Sequence, residues 1–242
     1  METKMEMMIR TENLSFCYRN KQVLNSIDLQ VPKGSIYGYI GKNGSGKTTT
    51  IKILLGLLKV PSGSIYYNGE RFRKSSISLL GRIGSLIESP VFYNHLTAYE
   101  NLKYVDILFH RGEERINEVL SLVDLNDARH KKAKHFSSGM KQRLGIALAL
   151  FHNPDILILD EPLNGLDPEG IHDMRKLITR LHHEGKTIFL SSHILSEVEK
   201  VCTHIGILEQ GKLIYQNDVV SIKAEKLELE SLFLTLTSSK KK

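Results

Sequence analysis

Residues 41–48 of the 242-residue chain read Gly41-Lys42-Asn43-Gly44-Ser45-Gly46-Lys47-Thr48, a GxxxxGK[ST] spacing whose chemistry is phosphate binding. Glycines let a backbone fold tightly around an anion and aim several N–H groups inward. Lys47 falls where a helix begins, and the positive end of the helix dipole disfavours a cation there unless an anion is present. A triphosphate resolves that conflict, and Thr48 can offer its hydroxyl to Mg²⁺. An ordinary glycine-rich turn is the competing explanation. The context stands against it, because an apolar strand ends at Ile40 and helical spacing begins at Ile51.

A second pair of candidates closes the apolar run Ile156-Leu157-Ile158-Leu159. Asp160 and Glu161 are adjacent carboxylates, and two charges at the end of a buried strand are costly unless a metal or a proton-transfer task stabilises them. If the chain is still extended there, neighbouring side chains face opposite sides. One then holds Mg²⁺, directly or through water, while the other orients an attacking water. Alone, such a pair could mark a strand emerging into solvent. Beside the phosphate loop that explanation loses its weight.

The elements that must position these residues follow from periodicity. Short β-rich runs alternate with helical ones, the pattern of a mostly parallel sheet flanked by helices. Strands are expected at Met8–Cys17, Ile27–Val31, Ser35–Ile40, Ser64–Tyr67, Ile83–Ile87, Ile156–Asp160, Thr187–Ser191, Ile205–Glu209 and Lys212–Tyr215. The early ones alternate between turn residues, which predicts an antiparallel layer added to the parallel core. Ile156–Leu159 is apolar on both faces, as a central parallel strand should be. Helical spacing appears in Ile51–Leu58, in Leu144–Phe151 and in the stripe Ile171, Met174, Ile178 and Leu181. Between about Pro90 and Phe151 strand signals vanish. There Thr97 and Glu100 form a capping box, and Ile116, Val119, Leu120 and Val123 recur at helical spacing.

The expected fold is therefore α/β, with a mixed sheet core, an antiparallel β layer and an inserted α-helical subdomain. Residues 1–90 form the first part of a nucleotide-binding core, 91–150 the helical subdomain, 151–217 the second part of the core, and 218–242 a small tail with a frayed basic end.

Composition narrows the function classes. With 41% apolar and 25% charged residues the chain can bury a core, and disorder would require lower hydrophobicity. The formal charge of +6, half of it from Lys240-Lys241-Lys242, permits contact with an anionic membrane surface or a nucleic acid without arguing for either. Two cysteines, Cys17 and Cys202, with no CxxC spacing, make a disulfide scaffold or a cysteine-rich zinc site a poor fit and suit a reducing compartment. Met1–Arg10 lacks the apolar core of a signal peptide, and the apolar stretches are too short for a membrane span. The expectation is a chain that does not cross a bilayer by itself.

The segment Phe136-Ser137-Ser138-Gly139-Met140-Lys141-Gln142-Arg143 precedes an apolar helix and resembles the LSGGQ signature of ATP-binding cassette (ABC) ATPases. The resemblance extends over about residues 7 to 235 and implies the ABC version of the P-loop NTPase fold. It implies that Ser137, Ser138 and Gly139 cap the γ-phosphate of ATP held by a second subunit, an arrangement consistent with the anion affinity of a helix start. Phe136, Ser138 and Met140 depart from the usual Leu, Gly and Gln. Gly41, Asn43, Gly44, Ser45, Gly46, Lys47, Thr48 and Thr49 match the family's ATP-binding loop. Tyr18, 29 residues before Lys47, resembles the aromatic that stacks on adenine. Asp167, in Gly165-Leu166-Asp167, looks like part of the loop that crosses the dimer interface. His193, after the strand Thr187–Ser191, looks like the switch histidine that contacts the γ-phosphate, with Glu161 as its catalytic partner. Thr48, Asp160 and Glu88 form the implied Mg²⁺ set.

Glu88 is itself a departure, since most cassettes carry glutamine there. Glutamate at this junction, with Phe92, Tyr93, Leu96-Thr97 and Glu100-Asn101-Leu102 around it, is similar to the branch serving lantibiotic immunity and bacitracin-type resistance. The implied protein is an ATP-hydrolysing subunit of a bacterial transporter. It pairs head-to-tail with a second ATP-binding subunit at the cytoplasmic face of the membrane and drives separate transmembrane permease subunits, with no nucleic acid partner. Alternatives are an exporter subunit for another substrate, or a soluble cassette ATPase acting on ribosomes or DNA. The ribosomal type normally carries two cassettes, and only one P-loop is present; the DNA-repair type inserts a long coiled coil, whereas about 90 residues separate Lys47 from Ser137. A P-loop kinase would explain neither Phe136–Gln142 nor Glu161.

Overall fold

A computed structural model describes residues 6–59, 62–73, 76–224 and 228–238. The chain divides into two units, one built from residues up to Leu80 and from Thr187 onward, the other from Gly81 to Lys186.

The first unit opens with β1 (Met7–Tyr18), β2 (Lys21–Ile27), β3 (Gln30–Pro32) and β4 (Ile36–Ile40), followed by α1 (Lys47–Leu54), β5 (Ser62–Tyr67), β6 (Glu70–Arg71) and the single turn α2 (Ile77–Leu80). An antiparallel sheet runs β2-β1-β5-β6, with β3 also on β1. Leu14 faces Ile27 and Phe16 faces Leu24 on one edge of β1, while Ile9 faces Tyr67 and Thr11 faces Ile65 on the other. The ladder slips between Glu12 and Ser15. Gly63, at φ +96°, lies against that slip, and a Cβ there would come within 2.6 Å of the Glu12 carbonyl oxygen. Only glycine combines that backbone with that approach.

The second unit begins with β7 (Ile83–Leu86) and continues through α3 (Ala98–Phe109), α4 (Gly112–Leu122), α5 (Ser138–Leu150), β8 (Ile156–Leu159) and α6 (Pro168–His183). β7 and β8 are parallel, pairing Ile83 with Ile156 and Leu86 with Leu159. All four residues of β8 are buried, as a strand covered on both faces requires. Arg115 of α4 donates to the carbonyls of Leu150 (2.6 Å) and Phe151 (3.0 Å), which joins α4 to the end of α5.

The chain then returns to the first unit as β9 (Thr187–Ser192), α7 (Leu195–Val201), β10 (His204–Glu209), β11 (Lys212–Asp218), α8 (Val219–Ala224) and α9 (Leu229–Ser238). In this unit the order is β11-β10-β4-β9. β4 is parallel to both β10 and β9, and β11 adds an antiparallel edge. The five residues of β4 are all buried. Parallel core strands, an antiparallel layer and a helix-rich second unit are the α/β architecture expected from periodicity.

Local differences have local causes. The single strand expected at Ile27–Val31 is split, because the Thr11 hydroxyl donates to the Ile27 carbonyl (2.6 Å) and accepts the Leu29 N–H (2.9 Å). A side chain thus replaces ladder bonds at that point. Helix α1 stops at Leu54 and not at Leu58. Gly56 turns left-handed at φ +68°, and the N–H groups of Leu57 and Leu58 fold back on the Lys52 carbonyl. The Thr97–Glu100 capping box is present, with both reciprocal hydrogen bonds made. The basic tip Lys240–Lys242 lies outside the described residues.

Candidate functional site

In the first unit, β4 delivers the chain to Gly41, whose N–H donates to the Ser192 carbonyl at the end of β9 (3.3 Å). The loop then closes on itself through Ser45 N–H to Lys42 O (3.1 Å). Gly46 caps α1 in a left-handed conformation, φ 115°, and a Cβ there would sit 2.7 Å from the Leu24 side chain of β2. No side chain caps α1, and its first turn holds no acidic residue. A helix start of this kind, with the positive end of its dipole toward the loop, favours an anion. Lys47 is buried and its ammonium donates to the carbonyls of Gly41 (2.7 Å) and Lys42 (3.4 Å), which holds the charge within the loop. Ser45 Oγ is buried and has no partner among the described residues. A loop of backbone donors, one enclosed cation and an orphaned hydroxyl fits the phosphates of a nucleotide.

Behind this cradle lies a relay that the spacing of residues did not reveal. Thr50 Oγ1 donates to the Gly46 carbonyl (3.0 Å), and Tyr39 Oη lies 3.3 Å from Thr50 Oγ1. Thr50 has one hydroxyl proton and spends it on Gly46, so Tyr39 must donate to Thr50. Burial pushes the Tyr39 phenol well above its ordinary pKa, partly countered by Thr50, and keeps it a donor. Tyr39 reads in sequence only as a strand residue, which is why its hydroxyl carried no signal.

His193 follows directly on β9, whose Ser192 pairs with Ile40. The structure thus brings His193 and the start of the phosphate loop to the same end of adjacent parallel strands, where α/β sheets bind ligands. Tyr18 ends β1, is 46% exposed, and stands edge-on to Phe16 with centroids 4.8 Å apart. It pairs with Lys21 at the hairpin leading into β2, the strand that backs Gly46.

In the second unit, Asp160 is buried and its N–H donates to the Leu86 carbonyl (2.8 Å). This bond carries the pairing one residue past β8, onto the last residue of β7. Glu161 follows at φ +50° and Glu88, two residues after Leu86, lies at φ +59°. The condition for Asp160 and Glu161 to face opposite sides, an extended chain through both, is therefore not met at Glu161. The strand ends at Leu159, and Glu161 turns left-handed into a loop closed by Asn164 N–H to Glu161 O (3.0 Å). Glu88, Asp160 and Glu161 nonetheless gather at one end of the β7–β8 pair. Non-glycine residues in that backbone region are strained and concentrate at functional sites.

Among the described residues no group of three or more His, Cys, Asp and Glu side chains forms a metal cage. Hydroxyl and carboxylate donors of the Thr48, Asp160 and Glu88 type fit Mg²⁺, which keeps waters and takes phosphate oxygens from a nucleotide in place of an all-protein cage.

Ser137 caps α5, accepting the Met140 N–H (3.3 Å), and Asp167 caps α6, accepting the Gly170 N–H (2.9 Å). A Cβ at Gly139 would meet nothing within 4 Å, so the start of α5 is open to a partner. Phe136 is buried immediately before it and anchors the segment.

A cavity of about 410 Å³ also lies in this unit, lined among others by Ile87, Ser89, Val91, Phe109, Leu148 and His152. Phe109 stacks on His152 with centroids 5.0 Å apart. Burial, with help from Arg111, Arg115 and Lys186, pushes His152 below its ordinary pKa and keeps it neutral. Val91 is 90% exposed, and Tyr104, Ile107 and Leu108 are exposed near it in sequence on α3. Sequence periodicity gave no sign of this face, because it is apolar without being buried.

The ABC transporter family profile matches residues 24–164. The chain is 50% identical over 212 residues to the bacitracin transport ATP-binding protein BcrA of Bacillus licheniformis, covering 87% of this chain and 69% of that one. It is 44% identical over 211 residues to the lantibiotic transport ATP-binding protein SrtF of Streptococcus pyogenes, covering 87% and 91%. A solved ATP-binding subunit of an ABC transporter superposes with a TM-score of 0.83 at 30% identity, over 95% of this chain and 99% of that one. The CbiO1 subunit of Clostridium perfringens, part of the transporter complex CbiONQ, gives 0.83 at 27% identity, over 91% and 92%.

Proposed function

Because the chain belongs to the ATP-binding subunits of ABC transporters, an ATPase family, we propose that it hydrolyses ATP to power removal of an antimicrobial peptide of the bacitracin or lantibiotic kind. The reading draws on the family's nucleotide chemistry and on relatives named for bacitracin and lantibiotic transport. The observation that carries it is the split set of groups: a donor-lined phosphate loop with an enclosed Lys47 in one unit, and three carboxylates at the end of the β7–β8 pair in the other.

In this reading the loop Gly41–Thr49 holds the phosphates, Tyr18 stacks on the adenine, and Lys47 neutralises the β/γ oxygens. Thr48, Asp160 and Glu88 are the residues that would hold Mg²⁺, which would supply charge neutralisation at those oxygens. Glu161 accepts a proton from the attacking water, and His193 orients the γ-phosphate. Ser137, Ser138, Gly139 and Asp167 face the nucleotide of a second ATP-binding subunit in a head-to-tail pair.

No helix among the described residues is long and apolar enough to cross a membrane. In this reading the work is delivered to separate permease subunits, as in the transport systems its relatives are named for, with this chain held peripherally at the cytoplasmic membrane face. The exposed apolar residues of α3 and the adjoining cavity form the surface suited to receive them, since a patch of that kind marks an interface.

The test pairs two variants. Lys47→Ala should lose ATP affinity at least tenfold, while Glu161→Gln should bind ATP normally and turn it over at least a hundredfold more slowly. Cells expressing either variant with the cognate permease should lose peptide resistance. Wild-type turnover by Glu161→Gln would overturn the assignment of the general base, and resistance unaffected by both would overturn the transport role.

A further inference from the structure

Ser137 and Asp167 cap two different helices, and an ion pair joins those helices. Arg143 lies six residues behind Ser137 on α5, and Asp173 lies six residues behind Asp167 on α6. Arg143 Nη2 donates to Asp173 Oδ2 at 2.5 Å, with the two side chains 19% and 36% exposed. Arg143 Nη1 reaches the Asp124 carbonyl at 3.5 Å and its carboxylate at 3.9 Å. Asp124 stands in turn 4.0 Å from Arg180 of α6. At 1.5 Å rise per residue, each cap is about 9 Å of helix from the Arg143–Asp173 pair. A guanidinium, with its fixed fork, can bind two acceptors on different elements at once, which an ammonium does with less geometric control.

We propose that Arg143 is a positioning residue which, through Asp173, makes the Ser137 and Asp167 caps move as one body when they meet the nucleotide of a second copy of this chain. The proposal rests on the reading that these caps act across a subunit pair. Without the tie, each helix can rotate or slide by a fraction of an ångström independently. One cap can then seat while the other misses. Nucleotide binding to the phosphate loop is untouched, because neither α5 nor α6 contributes a residue to that loop. A brace that served packing alone would lower thermal stability and leave assembly of the paired site as it was.

The experiment uses the full chain and three readouts: ATP affinity at low protein concentration, the protein concentration giving half-maximal ATPase, and the thermal midpoint. Arg143→Gln and the milder Asp173→Asn should keep ATP affinity within about twofold and raise the half-maximal concentration about tenfold, the size of a lost charged hydrogen bond. The exchanged pair Arg143→Asp with Asp173→Arg should bring that concentration back to within about threefold of wild type. An unchanged half-maximal concentration in both single variants overturns the proposal, as does a parallel loss of ATP affinity or an exchange that fails to restore it. Ser137→Arg separates the two levels. If Ser137→Arg abolishes turnover while Arg143→Gln matches wild type, the tie is refuted and the paired site stands. If Ser137→Arg turns over normally, the paired site itself falls.

Discussion

Asn101→Ala should destabilise the second unit by about 2–3 kcal/mol, and the value follows from which bonds have substitutes. Asn101 is 2% exposed. Its Oδ1 accepts the Tyr93 N–H (2.8 Å), and its Nδ2 donates to the carbonyls of Tyr93 (3.1 Å) and Thr97 (2.8 Å). The two carbonyls remain satisfied without it, because Tyr93 O also accepts Leu96 N–H (3.1 Å) and Thr97 O accepts Asn101 N–H (3.0 Å). Their loss costs about 0.5 kcal/mol each. The Tyr93 N–H is left half-buried with its acceptor gone, at about 1–2 kcal/mol. The folded-to-unfolded ratio should fall roughly 30- to 150-fold. Asn101→Asp keeps the acceptor but aims a buried charge at two carbonyl oxygens, so at neutral pH it should be at least as damaging. Urea unfolding followed by tyrosine fluorescence and circular dichroism measures both. A cost below 0.5 kcal/mol for Asn101→Ala, or Asn101→Asp more stable than wild type at pH 7, would refute the bookkeeping.

Two further perturbations have definite signs. The Ser221 hydroxyl and N–H hold the Asp218 carboxyl below its ordinary 3.8, with a smaller contribution from His204. A carboxyl depressed in the folded state stabilises above its unfolded pKa, and that stability is lost as pH falls through the lower folded value. Urea midpoints should therefore drop below about pH 3.8 more steeply in wild type than in Asp218→Asn; parallel acid limbs would contradict this. Glu88→Gln should leave the ATPase of the purified subunit within about twofold while cells carrying it with its permease lose most of their peptide resistance; equal losses in both assays would make Glu88 an ordinary catalytic-site residue.

Much of the fold was legible because its signals are local. The strand β8 announces itself by four consecutive apolar residues, and the start of α3 by a capping box that needs only Thr97 and Glu100. The phosphate loop is a contiguous octapeptide, so spacing alone located it. What stayed hidden depends on partners distant in sequence. The break between β2 and β3 arises from Thr11, sixteen residues before Ile27. The left-handed turn at Glu161 is set by tertiary pairing that ends at Asp160, and no propensity rule places a glutamate there. The Arg143–Asp173 tie spans thirty residues and joins a largely buried helix, α5, to the amphipathic α6, and neither helix signals it in sequence.

The placement of Glu88 gives these observations a common consequence. Its neighbours Ile87 and Ser89 line the cavity beside the exposed face of α3, while its own backbone turns left-handed just past β7, next to the strand that ends at Leu159. A force applied to that cavity reaches the carboxylates through two peptide units and a single ladder. The ladder is stiff, because a Cβ at Gly84 would strike the Ala149 carbonyl and so α5 packs directly on β7. Glutamine at position 88 would transmit the displacement but not the charge. Glutamate would transmit both, so in the proposed reading a partner seated in the cavity would shift the charge of Glu88 as well as its backbone. In the proposed reading the cavity, the left-handed turn and the acidic residue would together couple a bound permease to the carboxylate end of the β7–β8 pair.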